Sequence, residues 1–143
     1  MTDLPKAGIT RNIGDRGIIG DLRSCALVAH DATIDYFCWP DLDSPSVFAA
    51  LLDSEQAGLF RLQPDWSDAR LQQLYLPDTN ILQTRWLSQQ GVAEVTDYMP
   101  IGDDTDRMPL IVRRLQVLKG SANWRMRCAP MPDYARAPRC QVP

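Results

Sequence analysis

The stretch Gly17-Ile18-Ile19-Gly20-Asp21-Leu22-Arg23-Ser24-Cys25-Ala26-Leu27-Val28-Ala29-His30-Asp31-Ala32-Thr33-Ile34-Asp35-Tyr36-Phe37-Cys38-Trp39-Pro40-Asp41-Leu42-Asp43-Ser44-Pro45-Ser46-Val47-Phe48-Ala49-Ala50-Leu51-Leu52 decides how the chain is read. It contains two short, almost wholly apolar runs, Cys25–Ala29 and Ile34–Trp39, joined by the polar reversal His30-Asp31-Ala32-Thr33. Continuous apolar runs of this length are what strands covered on both faces look like. A loop on Pro40–Ser44 follows. The helical spacing of Val47, Phe48, Leu51 and Leu52 then predicts one helix over Pro45–Leu52, capped by Ser44 or Ser46 and stopped near Gly58. The hairpin is the expected centre of the fold.

Working outward, residues 1–16 are polar, with Pro5, Gly8 and Gly14, and read as an N-terminal arm. After Gly58 strand and turn signals repeat. Leu59–Gln63, Ala69–Leu76, Ile81–Leu87, Val92–Met99, Leu110–Leu118 and Asn123–Ala129 are the runs, punctuated by Pro64-Asp65, Pro77-Asp78, Gln89-Gln90-Gly91 and an acidic loop over 100–106. Ile81–Leu87 with Val92–Met99 reads as a β-hairpin, and Leu110–Leu118 is expected to pair with Asn123–Ala129 around Lys119-Gly120-Ser121. The tail over 130–143 is Pro-rich and aperiodic. About eight short strands at regular spacing predict a mainly β protein, an antiparallel β-sandwich over 17–129 with one short helix near 45–53.

Composition narrows the function. The chain has 143 residues, enough for one domain, and 45% of them are hydrophobic. A net charge of −3 gives no basic footprint for nucleic acid, and the arginines of the last third fall on separate strands. No run approaches the ~18 apolar residues that span a bilayer, and residues 1–6 hold no apolar signal core. The four cysteines, at 25, 38, 128 and 140, form no Cys-x-x-Cys pair. Cys25, Cys38 and Cys128 lie in apolar strand contexts, so buried reduced thiols in a cytoplasmic protein are expected rather than a zinc site or disulfide framework.

Little in the pattern supports catalysis. There is one histidine, His30, and no Gly-rich phosphate loop, so no triad, metal centre or cofactor is expected. Of the carboxylates only Glu55 and Glu94 are glutamates. Glu55 falls at the expected helix end, and Glu94 on the strand face opposite Val95, in solvent. Asp41 and Asp43, beside Trp39, form the better acidic cluster, although loop aspartates ordinarily bond local backbone amides. One register detail is sharper. Alternation puts Asp97 on the apolar face of Val95 and Met99, and Arg113 on that of Ile111, Leu115 and Val117. Burying either charge alone is costly, so a structural ion pair Asp97–Arg113 is expected.

The motifs resemble a known family. Ile19-Gly20-Asp21, Ala26-Leu27-Val28, Asp31–Tyr36 and Cys38–Leu52 are similar to the N-terminal signature of bacterial and archaeal glycoside hydrolase family 15, the glucoamylase-like and trehalase-like enzymes. Val95-Thr96-Asp97-Tyr98-Met99-Pro100, Val112-Arg113-Arg114 and Asp133-Tyr134-Ala135-Arg136 resemble later motifs of the same domain. Ala32 stands where the family prefers Gly, Asp41-Leu42 replaces Arg-Phe, and Pro132 replaces an aromatic residue.

The resemblance implies an N-terminal β-sandwich that packs on an (α/α)6 barrel, the barrel carrying the two catalytic glutamates of an inverting hydrolase. On that basis the chain is expected to be a non-catalytic domain or fragment, truncated relative to the family. Trp39, Asp41, Asp43 and Ser44 would then lie at an interface or pocket rim. Expected partners are the family-15 catalytic domain in cis or trans, an α-glucan or trehalose, or a second copy through open strand edges. A stand-alone carbohydrate-binding or protein-interaction module, stacking sugars on Trp39, Trp66 or Trp86, is the alternative. An independent enzyme using Asp41, Asp43 or Asp97 is the third reading.

Overall fold

The computed structural model describes residues 12–52, 55–102, 108–134 and 136. A 3-10 turn, Ile13–Asp15, leads into ten strands: β1 Arg16–Gly20, β2 Cys25–Ala29, β3 Ile34–Cys38, β4 Ser46–Phe48, β5 Leu59–Pro64, β6 Arg70–Tyr75, β7 Leu82–Ser88, β8 Gly91–Tyr98, β9 Val112–Gly120 and β10 Trp124–Ala129. They form two antiparallel sheets. One runs β1-β2-β3-β5-β10, with β4 also on β3; the other runs β6-β7-β8-β9. The mainly β, sandwich-like class is as the alternation predicts, and β7–β8 is the expected hairpin, closed at Ser88–Gly91.

The core lies between the sheets. Ile19, Ala26, Val28, Ile34, Phe37 and Phe48 from the first sheet meet Leu82 and Met99. A second cluster joins Ala32, Leu62, Trp66, Trp86, Ala93 and Val95. The β2–β3 hairpin supplies the deepest positions, with Ala26, Val28 and Ile34 fully buried. Its turn holds Ala32 at φ 59, the left-handed region that favours glycine.

Three expectations are corrected. No α-helix occurs among the described residues. Ser46–Phe48 is instead β4, paired to β3 through Phe37–Phe48 and Cys38–Ser46. A short apolar run fits helix or strand equally, and here the open edge of β3 supplies the partners. Ser46 and Phe48 face inward while Leu52, assigned to the apolar helix face, is exposed.

The second concerns the end of the expected arm over 1–16, where Arg16 already begins β1. Strand β1 packs so tightly that a Cβ on Gly17 would lie 2.4 Å from a Leu82 methyl. A glycine-rich strand carries no alternation signal, which is why the run looked irregular. Residues 1–11 lie outside the described residues, as do 103–107 of the acidic loop and, apart from Arg136, the tail from 135 onward.

The third correction concerns β9 and β10, which do not pair with each other. Strand β9 pairs with β8 and β10 with β5, in different sheets. Gly120 takes φ 77, and a side chain there would collide with the Gln90 carbonyl. The chain therefore crosses between sheets just beyond it. Trp124 anchors the crossing by meeting Trp86 edge-on, with ring centroids 6.0 Å apart.

Candidate functional site

The Trp39–Ser44 loop sits at one end of the first sheet, after the cis Trp39–Pro40 bond that ends β3. It is clamped to the turn at 21–24. Arg23 donates through Nε and Nη2 to Asp41 Oδ1 at 3.1 and 2.9 Å, and the Leu42 amide donates to the Arg23 carbonyl at 3.0 Å. The Asp41 amide donates to Ser44 Oγ and the Ser44 amide returns to the Asp41 carbonyl, closing the loop on itself. Beneath it, Ser24 Oγ donates to the Cys38 carbonyl at 2.5 Å. The backbone-capping carboxylate here is Asp21, which accepts from the Arg23 and Ser24 amides; the Asp41 carboxylate reaches a side chain instead. Trp39 is 41% exposed, and Leu22, Leu42 and Asp43 are exposed as well. The loop and the turn clamped to it thus present a tryptophan, two leucines and an acidic residue to solvent.

Asp97 and Arg113 are opposite each other on β8 and β9. Asp97 has 0% exposure, and Arg113 grips it through Nε–Oδ1 at 2.7 Å and Nη2–Oδ2 at 3.1 Å. The same guanidinium donates to the Phe60 carbonyl at 3.0 Å and to the Ala32 carbonyl, and lies 4.7 Å above the Phe60 ring. One arginine therefore ties the edge of the second sheet to β5 and the hairpin turn of the first. Burial pushes the Asp97 carboxyl up, and the bidentate arginine pulls against that without cancelling it. A carboxylate with no solvent access and a committed arginine holds sheets together and reaches no substrate.

Other sequence candidates resolve differently. Trp66 and Trp86 are buried core residues, so neither can stack on a sugar. Glu94 is not in solvent: it is buried and bound by Arg85 at 3.0 Å, because the long side chain of the neighbouring strand lies over it. Cys38 is buried and Cys25 half-buried, but Cys128 is exposed on β10, the last strand of its sheet. Cys140 and the Glu55 side chain lie outside the described residues. Among those residues no group of three or more His, Cys, Asp or Glu could hold a metal ion, and no helix is long and apolar enough to cross a membrane.

Two features escaped the sequence reading. Arg16 and Asp35 form a buried ion pair, Nη2–Oδ2 at 2.8 Å, that locks β1 to β3. The signal was present, an aspartate inside an apolar strand, but its partner lay in the supposed arm. The second feature is the mouth between β9 and β10, which end the two sheets on the same side of the sandwich. None of the nine residues of β9 is buried. Leu115 and Val117 stand opposite the buried Val95 and Ala93, hence face inward, yet are 42% and 36% exposed. On β10 Met126 is opposite the buried Leu62 and is 69% exposed. These side chains point inward and are left in water.

The other side of the sandwich is stitched shut. The Ile18 amide donates to the Tyr75 hydroxyl, which donates back to the Ile18 carbonyl, and Asn80 donates to the Gly20 carbonyl. A cleft of about 560 Å³ remains there, lined in part by Asp15, His30, Asp31, Leu71, Leu74 and Tyr75.

With this geometry in hand, comparison with known proteins is specific. A trehalase-like, N-terminal domain model matches residues 8–141. The chain belongs to that family. It is 31% identical over 140 residues to a trehalase of Mycolicibacterium smegmatis, covering 87% of this chain but 21% of that protein. A Mycobacterium tuberculosis trehalase is 29% identical over the same share of this chain and 20% of its own length. Trehalase 1 of Sulfolobus acidocaldarius is 41% identical over 87 residues, 61% of this chain and 15% of that protein. The chain spans about a fifth of the length of the first two relatives. No solved structure matches it.

Proposed function

We propose that this trehalase-like N-terminal domain is a non-catalytic partner of a family-15 α-glucoside hydrolase of trehalase or glucoamylase type, working beside an (α/α)6 catalytic domain in cis or in trans, in the cytoplasm. The observation that carries the reading is the match over nearly the whole chain to a domain that makes up a fifth of trehalase-length proteins. Two surfaces suit the role. The uncovered inward side chains of β9 and β10 offer apolar area for packing, and the clamped Trp39–Ser44 loop offers a preorganised rim for a substrate pocket. The buried states of Asp97 and Glu94 favour a scaffold over an independent hydrolase.

The test is glucose release from trehalose, maltose and dextrin by the purified chain, alone and with a separately produced catalytic domain of a family relative. The chain alone is expected to be inactive and to raise the activity or stability of the added domain. Turnover by the chain alone overturns the reading. Exposed Trp39 beside Asp41 and Asp43 favours a second reading, carbohydrate binding without a catalytic partner. Calorimetric titration with trehalose and maltodextrin, and its loss in Trp39→Ala, would support that alternative.

A further inference from the structure

Cys25 and Cys38 lie on adjacent antiparallel strands beside the Ala26–Phe37 pair that ends the ladder, and extending that register one step sets them opposite each other. Ala26 and Phe37 face the core, so the two cysteines share the outer face of the sheet. Directly opposed residues in such a ladder are ~4.5 or ~5.5 Å apart at Cα. Both spacings fall within the ~4.4–6.8 Å that a disulfide spans. Burial first, then the neighbouring Cys38, pushes the Cys25 thiol up. On the other side, Cys38 Sγ lies 3.3 Å from the Tyr36 hydroxyl, a contact that helps push that phenol up to about 12. Cys128 is on β10, two strands beyond β3 in the sheet order. With strands ~4.8 Å apart it is out of reach of this pair.

We propose that Cys25 and Cys38 form a reversible cross-strand disulfide, made by exchange with a low-molecular-weight disulfide such as oxidised glutathione. Cys25, the more accessible of the two, gives up its proton and attacks one sulfur of the small disulfide, breaking its S–S bond and releasing one small thiol. Cys38 then loses its proton and displaces the second small thiol from Cys25. The protein thiols are oxidised by two electrons, the small disulfide is reduced to two thiols, and the protons leave with them. The new bond closes the hairpin directly before Trp39 and so ties the redox state to the clamped loop.

The purified chain is treated with oxidised glutathione, alkylated and peptide-mapped, natively and in denaturant. The expected product links Cys25 to Cys38, is reversed by dithiothreitol and raises Tm by about 5 °C or more. Cys38→Ser is expected to stop at a stable glutathione adduct on Cys25, and Cys25→Ser to leave Cys38 unmodified. A persistent glutathione adduct on Cys25 with Cys38 free in the unmutated chain overturns the proposal. So does absence of reaction over hours in excess oxidant, or an equal yield of the same link in denaturant.

Discussion

The β2–β3 hairpin and the β9–β10 rim are written in similar language and end in opposite environments. Both consist of short strands with apolar side chains directed at the space between the sheets. In the hairpin Ala26, Val28 and Ile34 disappear completely, because β1, β4 and β5 flank it and Leu82 and Met99 close over it. At the rim, Leu115 and Met126 point the same way and stay in water, because each strand is the last of its sheet. Apolar alternation declares what a strand can bury. Whether it buries anything depends on a neighbour that the strand's own residues do not specify.

Four measurements sharpen or break this contrast. The largest effect is expected where the rim is fastened to the hairpin. Arg113→Met strands Asp97 as a buried, unpaired charge and is expected to cost about 3–5 kcal/mol in urea unfolding. Adding Asp97→Leu should restore most of that loss, since the apolar pair leaves nothing uncompensated. The single variant also carries a pH signature. Asp97 is already raised by burial, and without the guanidinium it rises further. A carboxyl whose folded pKa exceeds its unfolded value favours the fold at low pH and loses that contribution as pH rises through the folded pKa. The deficit of Arg113→Met relative to the parent chain should therefore be widest at neutral pH and shrink in mildly acidic buffer. A deficit that grew on acidification would contradict the assignment.

Ile34→Ala comes next, with an expected loss of about 2–5 kcal/mol from a fully buried position. Arg23→Ala removes an ion pair whose side chains are 40% and 43% exposed, so it should stay within about 1 kcal/mol while loosening the Trp39–Ser44 loop, seen as faster amide exchange at Leu42. Smallest is Leu115→Ala in the isolated chain, expected within about 0.5 kcal/mol. The same substitution should weaken binding to an added catalytic domain if the rim is the packing face. Comparable losses for Ile34→Ala and Leu115→Ala would show that the rim is covered in solution and end the contrast.

Much of this architecture was legible beforehand, for identifiable reasons. The strands from Leu59 to Ala129 are bounded by Pro, Gly and Asp punctuation, which acts locally and shows in the residues themselves. Asp97 and Arg113 stood out because charges on apolar faces are expensive, and the structure sets them opposite each other. What was misread depended on distant partners. Ser46–Phe48 became a strand because β3 had an open edge, and Arg16 became structural because Asp35 lay in the hairpin. The Trp39–Ser44 loop was visible as an unusual run, but its clamp by Arg23 and its exposure were not.

The sequence by itself determined the mainly β class, the family, and the hairpin as the centre of the core. Those follow from local periodicity, turn chemistry and ordered motifs, all carried within short windows of chain. The tertiary structure alone decided that β9 and β10 part into different sheets, that Trp66 and Trp86 are core, and that Cys25 and Cys38 are neighbours. Each of these is a matter of register between segments. Register is chosen by the summed burial of whole faces, and a one-residue shift would turn every side chain of a strand to the other side.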